Sequence, residues 1–342
     1  MSPRVRALNK VDSTPRWPSA DSATRNVTYA EMGRLMADLR PGRVVAAHGR
    51  HCLVEAPDGE RTRCHPRGKK NAVVVGDHVR WQITGDEGSI ERVNERRNLF
   101  YRQDEMRTKS FAANLDQVLI LIAAEPVFSE SQLARALIAA EAEGIKPLIG
   151  LNKSDLVEPF ARAWERLLPY RHMGAGTHYG VLPLSLALSS DVDRALLMEH
   201  LRGKTTLVLG PSGSGKSTLI NLLVPGATVL TGEISQALNS GKHTTTSTTW
   251  YWVDSERSTA LIDSPGFQEF GLHHIAPTQL AACMPDIAAH ASHCKFYNCT
   301  HLHEPGCGVL DAVKLGPSAG GISATRYKIY SDLFEELRHT RY

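Results

Sequence analysis

The sequence predicts three modules in series: a small β-barrel, a doubly wound α/β sheet, and a mostly helical module that holds a metal. Three observations predict it. Short alternating segments parted by turn residues fill residues 40–100. From residue 115 apolar strands alternate with helical segments, and one strand–helix junction reads Gly210-Pro211-Ser212-Gly213-Ser214-Gly215-Lys216-Ser217-Thr218. Cys294, Cys299 and Cys307 then crowd into fourteen residues beside histidines.

Composition bounds the reading. With 342 residues, 42% hydrophobic and 22% charged, the chain is long enough for two or three cores and has a globular balance. No apolar run approaches the roughly 20 residues that span a bilayer. The N-terminus lacks the apolar stretch of a signal peptide. A cytoplasmic protein with no membrane partner is therefore expected, and clustered cysteines in such a chain favour metal over disulfide. The net charge of +3 is unevenly placed: residues 1–110 carry a surplus of seven Lys/Arg, and the remainder is at −4. A basic N-terminal third fits a polyanion, and nucleic acid is the obvious one.

The elements follow in order. Residues 1–39 read as a flexible extension, with a short helix over Tyr29–Leu39. Gly42–Gly49, His51–Ala56, Glu60–His65 and Asp77–Ile83 read as strands of a five-stranded barrel over 40–103, with turns at Asp58-Gly59, Gly76-Asp77 and Gly85–Gly88. An OB-fold is the natural form, and the run Arg61, Arg63, Arg67, Lys69, Lys70 suggests RNA on its face. In the second module, over 104–272, strands are expected at Leu115–Ala124, Lys146–Leu151, Gly180–Leu186, Thr205–Leu209, Thr249–Val253 and Ala260–Ile262. Helices are expected at Glu130–Glu143, Phe160–Tyr170 and Leu219–Val224. The third module, 273–342, turns helical and closes on a helix over Ser331–Arg341.

The motifs define the chemistry. Gly210–Thr218 matches G-x-x-x-x-G-K-[ST] between an apolar strand and an apolar helix, the context that a phosphate loop requires. Its amides face the β-phosphate, Lys216 bridges the β- and γ-phosphates, and Ser217 offers a hydroxyl to Mg²⁺. Asn152-Lys153-Ser154-Asp155 follows a strand and matches N-K-x-D. There Asp155 accepts from the ring N–H and the exocyclic amine of guanine, Asn152 braces neighbouring loops, and the Lys153 stem covers the base. Asp263-Ser264-Pro265-Gly266 matches D-x-x-G, with Asp263 toward Mg²⁺ and the Gly266 N–H toward the γ-phosphate. Gly241-Lys242-His243-Thr244-Thr245-Thr246 lies between the two phosphate motifs, where Thr245 or Thr246 completes the Mg²⁺ shell. N-K-x-D precedes the phosphate loop instead of following D-x-x-G, so the motif order is that of a circularly permuted GTPase.

Cys294-x4-Cys299-x-His301-x5-Cys307 supplies a Cys₃His set, the closed tetrahedral donor set of one structural zinc. His293, His303 and Cys283 are competing ligands.

Together these features resemble the RsgA family, bacterial small-ribosomal-subunit biogenesis GTPases, over about residues 40–310. The resemblance includes FAANLDQVLIL at 111–121, DSPGFQEFGL at 263–272 and the motifs above. It implies an OB-fold, a permuted GTPase domain and a C-terminal zinc domain. It further implies binding to the immature small (30S) subunit and its 16S rRNA near the decoding region, subunit-stimulated GTP hydrolysis to GDP, and release. The family usually carries Ser-Ala in the second guanine loop, where this chain has Ser185-Leu186. Pro211 and Ser214 stand where Gln and Val are frequent. Phe267, after D-x-P-G, cannot orient water, so His243 is the candidate for that task, together with Lys216, Thr245 and Thr246 in catalysis. A monomer is expected. Two other readings are an RNA-binding protein switched by nucleotide with negligible hydrolysis, which Lys216, Ser217 and Asp263 oppose, and an ATPase, which Asp155 opposes.

Overall fold

A computed structural model describes residues 39–68, 73–173, 179–188, 190–224, 226–227, 248–266 and 270–339. The expected helix at Tyr29–Leu39 falls outside these except for its last residue. Lys69, Lys70, His243, Thr245, Thr246 and Phe267 also lie outside them.

Five strands form the barrel: β1 (Arg40–His48), β2 (His51–Glu55), β3 (Arg61–Pro66), β4 (His78–Thr84) and β5 (Glu87–Val93). They run β1-β2-β3-β5-β4, and β1 also pairs with β4, which closes the barrel. β-Branched and aromatic side chains at alternate positions turn inward, so Val44, Val54, Val79, Trp81 and Ile90 make a separate core. Cys52 and Cys64 face each other across β2 and β3 inside it. Burial pushes both thiols up to about 12, so these two cysteines act as small apolar side chains.

β1 has a register shift between Val44 and Ala46. A bulge re-aims a strand, and beyond this one Ala46 pairs with Thr249 of β12 (Thr249–Trp252). That pairing joins barrel and α/β sheet into one eleven-stranded sheet. The α/β part has β8 (Gln117–Ala123), β9 (Lys146–Asn152), β10 (Gly180–Pro183), β11 (Thr205–Leu209) and β13 (Ala260–Asp263) in the order β10-β9-β8-β11-β13, all parallel. β12 runs antiparallel to β13. All of β8 is buried, as a central parallel strand covered on both faces must be. Its near-continuous apolar run follows from that position.

β6 (Leu99–Gln103) and β7 (Thr108–Ala113) form a separate hairpin whose turn contains the expected barrel boundary at 103–104. Its Phe100 and Phe111 pack on Phe270 at ring separations of 5.7 and 6.1 Å.

Helices α1 (Glu130–Ala142), α2 (Val157–Arg166), α3 (Leu168–Arg171), α4 (Ser190–Leu201) and α5 (Lys216–Leu223) cover the sheet. The single helix expected over Phe160–Tyr170 is therefore two. Pro169 has no N–H for a continuous helix and sits instead in the first turn of α3. The strand expected over Gly180–Leu186 stops at Pro183, and Leu184–Leu186 turn toward the nucleotide motifs.

The last module has α6 (Pro277–Leu280), α7 (Pro285–Ala291), α8 (Gly308–Leu315) and α9 (Ala324–His339). The closing helix begins seven residues before the expected Ser331. The Ser323 hydroxyl accepts from the Arg326 N–H, and Arg326, Ile329 and Tyr330 turn inward. Arg326 is 1% exposed and forms a two-point ion pair with Asp286 of α7 at 2.8 Å, its guanidinium lying over Tyr170 of α3. Among the described residues no helix is long and apolar enough to cross a membrane.

Candidate active site and metal centre

Parallel α/β sheets bind ligands beyond the carboxyl ends of their strands. Here those ends open on a cavity of about 1140 Å³, and the expected motifs meet there. Asn152, Lys153 and Asp155 leave β9, Ser212–Thr218 lead from β11 into α5, and Asp263–Gly266 leave β13. Lining residues are Asn152, Lys153, Asp155, Ser212, Gly213, Gly215, Lys216, Ser217, Thr218, Asp263 and Gly266. Gly210, Pro211 and Ser214 form the back of the phosphate loop. The Lys216 ammonium donates to the carbonyls of Gly210 (2.8 Å) and Pro211 (3.1 Å). Ser214 holds its own loop by donating to Pro211 O.

Asn152 is the brace. It is 5% exposed, donates to Ser214 O at 2.9 Å and accepts from the Leu186 N–H at 3.1 Å. One amide thus joins the phosphate loop to the loop after β10. Gly215 makes this possible: its φ is +103°, and a Cβ there would stand 2.3 Å from Asn152 Nδ2. The Ser154 N–H donates to Leu184 O.

The Ser185-Leu186 pair does stand against N-K-x-D. The Ser185 hydroxyl donates to Asp155 Oδ1 at 2.7 Å, and its N–H donates to buried Asp193 in the first turn of α4 at 2.7 Å. Leu186 contributes its backbone N–H, so the side chain at this position is free to differ from alanine. Asp193 was not legible beforehand, because its partner lies in a loop whose path the sequence does not state. Arg102, Leu156 and Ala187 line the cavity and were likewise not foreseen. Arg102 reaches the cavity from β6, fifty residues before the first motif.

Charge in the cavity is poised for a polyanion with a cation. Burial pushes Asp263 up to about 6, with Lys216 opposing the shift, and burial pushes the Lys216 ammonium down. The half-buried carboxylate of Asp263 and the hydroxyl of Ser217, which line the same cavity, fit Mg²⁺, which prefers oxygen donors.

The second centre is in the last module. The donor atoms of Cys294, Cys299, His301 and Cys307 all lie within 4.8 Å of one another. Tetrahedral zinc bonds of about 2.3 Å to sulfur and about 2.0 Å to nitrogen place donors about 3.8 Å (S···S) and about 3.5 Å (S···N) apart. The Cys294 and Cys307 sulfurs are 3.8 Å apart, and His301 Nδ1 lies 3.4 and 3.5 Å from them. The four residues fit zinc. His301 adopts φ +60°, and its carbonyl accepts from the Tyr327 hydroxyl of α9. Glu304 fastens the loop from outside, accepting from the Thr300 N–H and hydroxyl, and these bonds hold its carboxyl down at about 2. His293 and His303 are exposed and outside the cluster, and Cys283 is buried in the turn after α6.

The basic run on the barrel is less free than its composition implies. Arg61 pairs with Glu55, Arg63 with Glu87 and Arg67 with Glu91. On the metal loop, by contrast, Tyr297 is fully exposed and Phe296 is 41% exposed beneath the Lys295 ammonium.

Comparison with known proteins agrees with this geometry. The RsgA GTPase family matches residues 93–273. The small ribosomal subunit biogenesis GTPase RsgA of Variovorax paradoxus (strain S110) is 74% identical over 304 residues, 89% of this chain and 94% of that one. Its counterpart in Paraburkholderia xenovorans (strain LB400) is 50% identical over 329 residues, 94% and 97% of the two chains. Among solved structures, YloQ, described as a circularly permuted GTPase, superposes with a TM-score of 0.65 at 26% identity, covering 90% of this chain and 98% of its own. YjeQ from Thermotoga maritima gives 0.64 at 29% identity, covering 87% and 98%.

Proposed function

The chain belongs to the RsgA family of GTPases, and from that premise we propose how its residues carry the reaction. The protein is a GTP hydrolase of small ribosomal subunit biogenesis. The observation that carries the residue assignments is the double hydrogen bond of Asn152, which ties the phosphate loop and the Ser185-Leu186 loop around one cavity.

In this reading Asp155 turns from Ser185 to the guanine ring N–H and exocyclic amine, and Lys153 covers the base. Lys216 exchanges the carbonyls of Gly210 and Pro211 for β- and γ-phosphate oxygens. The Gly266 N–H reads the γ-phosphate. Mg²⁺, which Ser217 and Asp263 would hold with Thr245 or Thr246, neutralises charge on the β- and γ-phosphates when bound. His243 positions the attacking water, since the apolar Phe267 cannot. Turnover is therefore slow until the subunit stimulates it.

Zinc held by Cys294, Cys299, His301 and Cys307 cross-links a loop that lacks regular structure and seats it on α8 and α9. The barrel and this loop then grip 16S rRNA near the decoding region. Exposed Tyr297 and Phe296 beside Lys295 support an RNA surface, because aromatic rings stack on unpaired bases. The protein acts as a cytoplasmic monomer and leaves on hydrolysis.

The test is phosphate release from GTP and from ATP in Mg²⁺, with and without purified small subunits. GTP-selective turnover that rises many-fold with subunits is expected. Equal use of ATP would overturn the guanine assignment, and turnover indifferent to subunits would overturn the stimulation.

A further inference from the structure

A second cavity, of about 330 Å³, opens at the seam between the barrel and the α/β sheet, and no residue lines both it and the nucleotide cavity. Half-buried Arg43 of β1 lines it. In the sheet register Arg43 faces Glu55 of β2 on one side and His78 of β4 on the other. β12 runs antiparallel beside β1 and brings two tryptophans to the same place. The Arg43 guanidinium lies 4.6 Å from the Trp250 ring and 5.1 Å from the Trp252 ring. Aromatic faces hold a cation without taking its hydrogen bonds. The Arg43 Nε–H is accordingly a buried donor with no hydrogen-bond partner among the described residues.

The nearest counter-ion is already engaged. Glu55 is 7% exposed, its Oε1 accepts from the Trp252 indole N–H at 2.7 Å, and its Oε2 accepts from Arg61 Nε at 2.9 Å. Burial pushes the pKa of Arg43 down against the opposing pull of Glu55. Burial and the Arg43 charge also push His78 down, with Asp77 opposing. A desolvated cation with an unmet donor is stabilised by an anion.

Two more donors share the lining, the Asn94 amide after β5 and Arg257 in the turn between β12 and β13. Asp254 fixes that turn by accepting from the N–H groups of Ser258 and Thr259, each at 2.7 Å. Arg257 takes a left-handed φ of +55° there and lays its guanidinium against Gly59, where a Cβ would collide with it. Donors from β1, from β4 and from the β12–β13 turn thus share one cavity. A carboxylate offers two oxygens in one plane. A phosphate offers oxygens in several directions, so that separate guanidinium forks can each engage it. Pro41 and Pro57 make other parts of the wall apolar, which suits a sugar or a base beside the phosphate.

We propose that this seam cavity binds a phosphate group, carried by a nucleoside monophosphate or by one phosphodiester of an RNA strand, with Arg43 and Arg257 as its two forks. His78 and Asn94 complete the donor set. Arg43 belongs to the barrel and Arg257 to the sheet, so an occupied site ties the two modules together.

The full-length protein is first saturated with GDP and Mg²⁺, which fills the nucleotide cavity. It is then titrated in a calorimeter with uridine 5′-monophosphate, with uridine, and with a uridine hexanucleotide that lacks terminal phosphates. Wild type binds at least one of the two phosphate-bearing probes and ignores uridine. Arg257→Ala removes an exposed side chain from a turn, and Arg43→Gln removes the charge beneath the tryptophans. Each weakens that binding about tenfold or more and leaves GDP affinity within about twofold of wild type. Tighter binding of the monophosphate, lost in the variants, identifies a free phosphate monoester as the ligand. Tighter binding of the hexanucleotide, lost in the variants, identifies an RNA phosphodiester. The proposal is overturned if neither phosphate probe binds, if uridine binds as well as its monophosphate, or if neither variant weakens binding. Should Arg43→Gln fail to fold, Arg257→Ala decides the matter alone.

Discussion

Asn152→Ala isolates the brace between the two nucleotide loops. The substitution removes two hydrogen bonds of a 5% exposed amide, to Ser214 O at 2.9 Å and from Leu186 N at 3.1 Å. Each is worth about 1 kcal/mol net, and the two backbone groups it leaves keep no other partner through this amide. A loss of about 2 kcal/mol corresponds to roughly 30-fold in a dissociation constant. The loss falls on nucleotide binding, because Asn152 joins the two loops that stand against the cavity. The contact is remote from the γ-phosphate side, so GTP and GDP weaken together. Titration calorimetry with GDP and with a non-hydrolysable GTP analogue measures both. An affinity within threefold of wild type, or a change in the ratio of the two, would refute the reasoning.

Other expectations follow from the same structure. Arg326→Met leaves Asp286 as a buried carboxylate without its partner and costs about 3–5 kcal/mol in urea unfolding, most of it recovered in the Arg326→Met/Asp286→Leu double variant. Cys307→Ala abolishes the stoichiometric zinc expected in purified protein, read by elemental analysis, and lowers the unfolding midpoint of the last module. In the nucleotide-free protein the raised pKa of Asp263 contributes stability that is complete below the unfolded carboxylate value near about 4 and is lost as pH rises through about 6. Mg²⁺-dependent GTP binding runs the other way, weakening as pH falls through about 6 while the proton competes for Asp263, and Asp263→Asn removes that dependence. Asp155→Asn replaces one acceptor by a donor and lowers GTP affinity while improving that for xanthosine triphosphate, whose 2-position is a carbonyl.

What was legible in the sequence was local. Gly210–Thr218 is a contiguous strand–turn–helix, and its glycines record a backbone path that only glycine takes beside Asn152. The apolar run of β8 announces a strand buried on both faces. The spacing of Cys294, Cys299, His301 and Cys307 states a donor set because all four lie on one short loop. Chemistry that resides within fourteen or fewer consecutive residues can be read without knowing where the rest of the chain goes.

Contacts between distant segments were not legible. The β6–β7 hairpin was divided by an expected boundary because its pairing is completed only when Phe270 covers Phe100 and Phe111. Arg61, Arg63 and Arg67 suggested an open cationic face, yet their carboxylate partners sit on other strands of the barrel. Composition counts charges but does not place their counter-ions. The sequence alone determined which nucleotide chemistry the chain carries, through the residue types and spacings of its motifs. Only the tertiary structure decided that Ser185 would hold Asp155, that Arg102 would enter the cavity, and that β12 would bind the barrel to the α/β sheet. The reason is physical: hydrogen-bond and ion partners are chosen by proximity after the chain has closed its loops, and proximity across fifty or more residues is a property of the packed core.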